Sequence, residues 1–198
     1  GEAVRELDSE QSALMSKSAD WVQDMVRLER FVVYGVNTGF GPLARQRISR
    51  DDTRALSHNV VMACSVGVDD PLPEDVVRAT MLIRANSLVK GYSGVRVEVV
   101  NALIRMLNKG VTPVVPSKGS LGASGDLAPL AHIAMVLAEA PGDQTGDGGL
   151  AVYEGRVMSG REAMQRAGIP RVVLEAKEGL ALTNGATVSA AMPRWPWH

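Results

Sequence analysis

The sequence predicts a mainly α fold with minor β, on three observations. Apolar residues recur at helical spacing from about residue 10 to residue 192, in stretches separated by Gly and Pro. "PGDQTGDGGLAVYEGRVMSG" reads as a Gly-rich loop followed by one short hairpin, which supplies the minor β. Two prolines, Pro113 and Pro116, forbid helix in the segment between the two halves of the chain.

Taken in order, residues 10–31 read as a helix whose apolar face is Leu14, Trp21, Met25 and Leu28, with Val22 and Val26 beside it. It runs into "FVVYGVNTGFGPLA", where three glycines and an Asn at 35–41 exclude a regular element and ask for unusual backbone angles. Ser49 followed by Asp52 resembles a capping box that opens a helix to about Val66. Pro73 starts a long helical pattern that breaks at Gly91-Tyr92-Ser93-Gly94 and stops at Gly110. "VTPVVPSKG" is then extended. Leu127, Leu130, Ala134 and Leu137 share one helical face, and Ile133, Met135 and Val136 fill the others, so this helix belongs in a core and ends at Pro141. A Gly-rich loop leads to the hairpin, with Glu154-Gly155 as its turn, and Ser159 caps a small helix closed by Gly168 and Pro170. Residues 177–192 begin a last helical run. "PRWPWH" (193–198) leaves Trp195 and Trp197 without periodic partners and reads as a non-native tail after a region spanning 1–192.

Composition narrows the function classes. Lys and Arg number 21 against 22 Asp and Glu, so no basic surplus points to nucleic acid. One cysteine, Cys64, excludes an internal disulfide framework and a Cys-rich zinc site, and suits a reducing cytoplasm. His58, His132 and His198 lie far apart, which gives a metal site no support. No apolar run reaches the roughly 20 residues of a membrane span, and "GEAVRELDSE" is too polar for a signal peptide. The expectation is a cytoplasmic protein with no metal, nucleic-acid or membrane partner.

The stretch that carries chemistry is "SKGSLGASGDLAPL" (117–130). A phosphate loop would place Lys after its glycines, whereas Lys118 precedes them. A capped helix start explains Asp126 as the cap but not why glycines bracket Ala123-Ser124. Backbone chemistry supplies a third reading. A tight turn can press the unshielded amide nitrogen of Gly125 against the Ala123 carbonyl carbon. Closure with loss of water makes an imidazolone, and loss of a second water from Ser124 makes its side chain a methylidene, a strong electrophile.

"GSLGASGDLAPLAH" (119–132) resembles the prosthetic-group segment of the aromatic amino acid lyases: the histidine, phenylalanine and tyrosine ammonia-lyases and related aminomutases. "YGVNTGFGPLA" (34–44), "RANSLVKGYSGVR" (84–96), "NKGVTPVVPSKGS" (108–120) and "KEGLALTNGATVSAAM" (177–192) are similar to that family in order and spacing, so the resemblance covers about residues 14–192. It implies the N-terminal part of the ammonia-lyase fold, without most of its central helical bundle. It also implies a 4-methylidene-imidazole-5-one (MIO) formed autocatalytically from Ala123-Ser124-Gly125, an aromatic amino acid substrate and a homotetramer with shared active sites. Tyr34 matches the tyrosine that removes the β-proton; a free phenol is a weak base at neutral pH, so the role needs surroundings that favour the phenolate. Alone, beside Val32 and Val33, Tyr34 would read as a half-buried core residue. Gly41 matches a position of close backbone approach, and Asn184 an active-site hydrogen-bonding Asn that would otherwise read as an Asn-Gly turn. His132 is expected to be structural, accepting a partner in the core.

The substrate-selecting pair of the family falls at Ala63-Cys64, in "VVMACSV". The histidine-selective Ser-His and tyrosine-selective His-Leu are both missing, and a small apolar pair leans to phenylalanine or a substituted phenylalanine; otherwise this is the buried face of a helix. The family's carboxylate-holding arginine and second tyrosine lie beyond the matched segments. The expected function is therefore elimination of ammonia from an aromatic L-amino acid, with little activity by this chain alone. The alternatives are a 2,3-aminomutase, a non-catalytic assembly fragment and, weakest, a phosphate-binding module.

Overall fold

The computed structural model describes residues 2–29, 31–142 and 145–192, so the expected tail at 193–198 lies outside the described residues. Eight helices are described: α1 (Ser9–Leu28), α2 (Thr53–Cys64), α3 (Glu74–Leu88), α4 (Val97–Lys109), α5 (Leu127–Leu137), α6 (Gly160–Arg166), α7 (Glu178–Thr183) and α8 (Thr187–Ala191). The strands are β1 (Val68–Pro71), β2 (Thr112–Pro113), β3 (Pro116–Lys118), β4 (Ala138–Glu139), β5 (Leu150–Tyr153), β6 (Arg156–Ser159) and β7 (Val172–Val173). They form three small sheets: antiparallel β1–β3, antiparallel β2–β5–β6 and parallel β4–β7. The mainly α expectation holds.

The core is built on α3, α4 and α5, where Met81, Leu88, Leu103, Met106, Leu130 and Leu137 are fully buried. Helix α5 is apolar nearly all round and is enclosed accordingly. It ends at Leu137 rather than Pro141, because Ala138 turns extended and pairs with Val172. The Arg171 side chain donates to the carbonyls of Met135, Val136 and Ala138 and so satisfies the open end of the helix from 33 or more residues away. Local sequence carries no trace of that stop. The hairpin turn is as expected: Glu154 and Gly155 both have positive φ, 51° and 72°, as a two-residue type I′ turn requires.

Helix α1 corrects the expected face. Its N-terminus is closed by a capping box between Asp8 and Gln11, and its buried stripe is Met15, Ala19, Val22 and Val26, while Leu14, Leu28 and Trp21 (53% exposed) face outward. The glycine turn at 91–94 lies flush on the helix: the Gly94 amide donates to Ser18 Oγ at 3.0 Å, and a Cβ at Gly94 would lie 2.4 Å from Val22 Cγ2. So close an approach selects smaller side chains for the contact and turns the largest ones away. Helix α2 starts at Thr53, with the Ser49 hydroxyl and Asp52 carboxylate bonded at 2.6 Å just before it, and stops at Cys64, two residues short of Val66.

The run at 177–192 is two short helices, broken where Asn184 is extended. Glu178, the first residue of α7, is 1% exposed. Its Oε1 accepts from the Arg96 amide and Nε, both at 2.9 Å, and its Oε2 from Arg96 Nη2 and the Glu175 amide, both at 2.8 Å. Helix α7 also lies close on α2: the Gly179 amide donates to Ser57 Oγ at 3.3 Å, and a Cβ at Gly179 would lie 2.0 Å from the Ser57 carbonyl oxygen. His132 is structural as expected, its Nε2 accepting from the Gly67 amide at 3.1 Å.

Two outcomes follow for stability. Glu178→Ala leaves Arg96 half-buried beside an unfilled site and is expected to cost about 3 kcal/mol in denaturant unfolding. Burial holds the His132 imidazole below its ordinary 6.5, and burial followed by the Arg171 charge does the same to His58. The folded chain keeps these rings neutral where the unfolded chain binds protons. Their contribution is therefore full above about pH 6.5 and lost as the pH falls below it. Denaturant midpoints measured from about pH 7 down to about pH 5 should fall, and His132→Gln should flatten part of that slope.

Candidate active site

The glycine loop at 119–126 is held at its base and on both flanks. Ser120 Oγ accepts from the Ala128 amide at 2.9 Å, which makes Ser120 the side-chain cap of α5. Asp126, expected in that role, makes no capping bond to its own helix. Its carboxylate instead accepts from the Ser189 amide and hydroxyl, both at 3.0 Å, and so caps α8 across the fold. The Asp126 amide donates to the Gly185 carbonyl at 2.9 Å. On the other flank, Asn184 Nδ2 donates to the Ser124 carbonyl at 2.8 Å.

Between these clamps stand Ala123, Ser124 and Gly125, the first two exposed and the third buried. Gly125 has φ 119°, and a Cβ there would lie 2.7 Å from the Gly185 nitrogen and 3.0 Å from its carbonyl carbon. Backbone meets backbone at that point, so glycine is required on steric as well as conformational grounds. The Gly125 amide is bonded to the Gly122 carbonyl at 3.4 Å, a long hydrogen bond that is cheap to break.

The Tyr34 loop is a self-stapled turn. Asn37, buried, accepts from the Val33 amide and donates to the Phe31 carbonyl, both at 2.8 Å, and Thr38 Oγ1 accepts from the Gly35 amide at 3.1 Å. Tyr34 is not a half-buried core residue: it is 56% exposed, edge-on to Phe40, and its hydroxyl oxygen accepts from the Gly41 amide at 3.4 Å. Gly41 has φ 53° with no atom within 4 Å of a Cβ placed there, so backbone conformation calls for glycine and leaves the space beside it open. The loop rests on α7, since a Cβ at Gly35 would lie 2.7 Å from Leu180 Cδ2. Leu180 is one turn before Asn184, whose amide donates to the Leu180 carbonyl at 3.0 Å.

Ala63 and Cys64 end α2, the helix that packs on the other side of α7. The buried-face reading of "VVMACSV" is corrected: Val61 is buried, whereas Met62, Ala63 and Val66 are exposed and Cys64 is half-buried. Burial raises the Cys64 thiol above its ordinary value and keeps it protonated. Ser124 thus meets Asn184, Gly125 meets Gly185 and Tyr34 meets Gly41, while Ala63-Cys64 stands at the end of α2, which packs on both α7 and α5. Sequence reasoning missed Ser120, Gly185 and Ser189. Gly185 was visible as part of an Asn-Gly pair, but nothing local marks a serine seven residues before its helix as a cap. Among the described residues, no cluster of His, Cys, Asp and Glu could hold a metal ion, and no helix is long and apolar enough to cross a membrane.

A family profile described as "Aromatic amino acid lyase" matches residues 1–194. The histidine ammonia-lyase of Streptococcus sanguinis is 53% identical over 186 residues, covering 94% of this chain and 34% of that protein. That of Caldanaerobacter subterraneus is 56% identical over 161 residues, covering 81% of this chain and 30% of that one. Among solved structures, the phenylalanine aminomutase of Pantoea agglomerans superposes with a TM-score of 0.85 at 36% identity, over 96% of this chain and 34% of that one. The chain spans about a third of the length of the relatives it matches. With its profile match running from end to end of the described fold, the chain belongs to the aromatic amino acid lyase family.

Proposed function

We propose that residues 1–192 are the prosthetic-group-bearing region of an ammonia-lyase that eliminates ammonia from an aromatic L-amino acid and leaves an arylacrylate. The observation that supports this most directly is the Ala123-Ser124-Gly125 loop, exposed at its tip and clamped on both flanks by Asn184 and Gly185. The residues fit a methylidene-imidazolone: glycine is the one residue that the backbone contact at 125 accepts, and Ser124 is exposed. In closure, the Gly125 nitrogen bonds to the Ala123 carbonyl carbon, whose oxygen leaves as water with the protons of the Ser124 and Gly125 nitrogens. Ser124 then gives up its hydroxyl and its α-proton as a second water. Asn184 Nδ2, on the Ser124 carbonyl, stabilises charge drawn onto that oxygen.

The prosthetic group supplies an electrophile for the substrate amine, which makes a better leaving group of it. Tyr34 is assigned removal of the β-proton, and the Gly41 amide holds its hydroxyl in place. Histidine is the first substrate to test, because the relatives above are histidine ammonia-lyases. The phenylalanine preference read from Ala63-Cys64 finds no support in them. A 2,3-aminomutase is the second reading, favoured by the likeness to the Pantoea agglomerans enzyme. Exposed apolar residues near the site, Phe31, Val32, Leu43 and Leu121, suit coverage by further chain or by another subunit, in keeping with a homotetramer.

The intact mass of the chain is expected to fall below its sequence mass by two waters, and Ser124→Ala to abolish at least one of those losses. In the full-length enzyme the same substitution should lower kcat by roughly a thousandfold or more. Turnover by these residues alone should be weak or absent. Product analysis with L-histidine, L-phenylalanine and L-tyrosine then separates an arylacrylate from a β-amino acid. An unmodified mass for the wild-type chain would count against this reading and favour an assembly fragment without chemistry.

A further inference from the structure

Arg84, on α3, has a burial that the chemistry above does not explain. It is 8% exposed, and among the described residues no carboxylate forms an ion pair with it. Burial pulls its guanidinium down to about 10. Nη2 donates to two backbone oxygens at the end of α7: the Ala181 carbonyl, and the Asn184 carbonyl at 2.7 Å. Nε is buried, with no hydrogen-bond partner among the described residues. A cation so placed is costly to desolvate, and what it meets in return is the negative end of a short helix.

The position of the guanidinium is more telling than its charge. A Cβ at Gly185 would lie 2.6 Å from Arg84 Nη1, and a Cβ at Gly125 would lie 2.7 Å from the Gly185 nitrogen. The guanidinium lies against the Gly185 backbone, which in turn lies against the Gly125 backbone, and at the second junction backbone meets backbone with no room for a side chain. The peptide pair in the middle of that stack holds the loop on both sides of Gly125, whose nitrogen is one of the two closing atoms. Asn184 Nδ2 binds the Ser124 carbonyl, and the Gly185 carbonyl accepts from the Asp126 amide. Intramolecular closure depends on near-attack geometry, and a misplacement of about 1 Å can cost on the order of a hundredfold in rate.

We propose that Arg84 is a positioning residue for the closure of Ala123-Ser124-Gly125, acting through Asn184 and Gly185; the inference rests on the prosthetic-group reading above. The guanidinium's hydrogen bonds go to the Ala181 and Asn184 carbonyls and not to the closing atoms. It sets where Asn184 and Gly185 stand, and they set the loop.

The test compares Arg84→Met, Arg84→Lys and a core control, Leu103→Ala, each synthesised unmodified in cell-free translation and sampled over time. Intact mass reads water loss, amide hydrogen exchange reads the Asp126 N–H, and thermal melting reads stability. Arg84→Met should slow water loss by about tenfold or more and deprotect the Asp126 amide. Arg84→Lys should restore part of both, because an ammonium still donates to the two carbonyls. Leu103→Ala should melt earlier yet close at the wild-type rate. Closure by Arg84→Met at the wild-type rate, or slowed no more than in Leu103→Ala, would overturn the role of Arg84. A wild-type chain that keeps both waters would instead overturn the prosthetic-group reading itself.

Discussion

The Glu178 carboxylate, sealed from solvent and bonded to four donors, fixes the one short helix on which the site hangs. Six residues make a helix with no independent stability, since isolated helices of that length do not form in water. Arg96 and the Glu175 amide hold it by charge-assisted bonds, and Gly179 lets it sink against α2 until backbone touches backbone. From that anchored position it presents Leu180 to the Tyr34 loop and Asn184 to the Ser124 carbonyl. The bonds to Glu178 fix where this helix starts, and its two ends meet different loops.

The glycine loop shows a similar division of labour. Its freedom to bend comes from Gly119, Gly122 and Gly125, all with positive φ, but freedom alone would leave it a mobile turn. Order comes from elsewhere: Ser120 closes its base, Asn184 and Gly185 hold its flanks, and Asp126 ties it to α8. Three of these four contacts join residues about sixty positions apart. A reactive backbone needs both properties, the slack to bring nitrogen and carbon together and the fixed surroundings that keep them there.

The main misreadings of the sequence were failures of direction rather than of element type. Asp126 was expected to cap its own helix and caps another; the large apolar residues of α1 were expected inward and stand outward; Ala63 was expected on a buried face and is exposed. In each case local rules name what a residue is able to do, while the partner is chosen by what packs nearby. For α1 that partner is the Gly91–Gly94 turn, whose flush contact favours Ala19 and Val22 over Trp21. For α5 it is Arg171, which stops the helix before proline does.

By itself the sequence determined the helical class, the hairpin with its Glu154-Gly155 turn, the structural part of His132, and the five ordered segments that carry the family resemblance. These are legible because periodicity, glycine at left-handed positions and contiguous motifs are local properties of the chain. Only the tertiary structure decided that Asn184 stands on Ser124, that Gly185 stands on Gly125, and that Arg84 and Glu178 hold both ends of α7. Those contacts span from roughly sixty to a hundred residues, and buried polar groups reveal their partners only when the chain has closed around them.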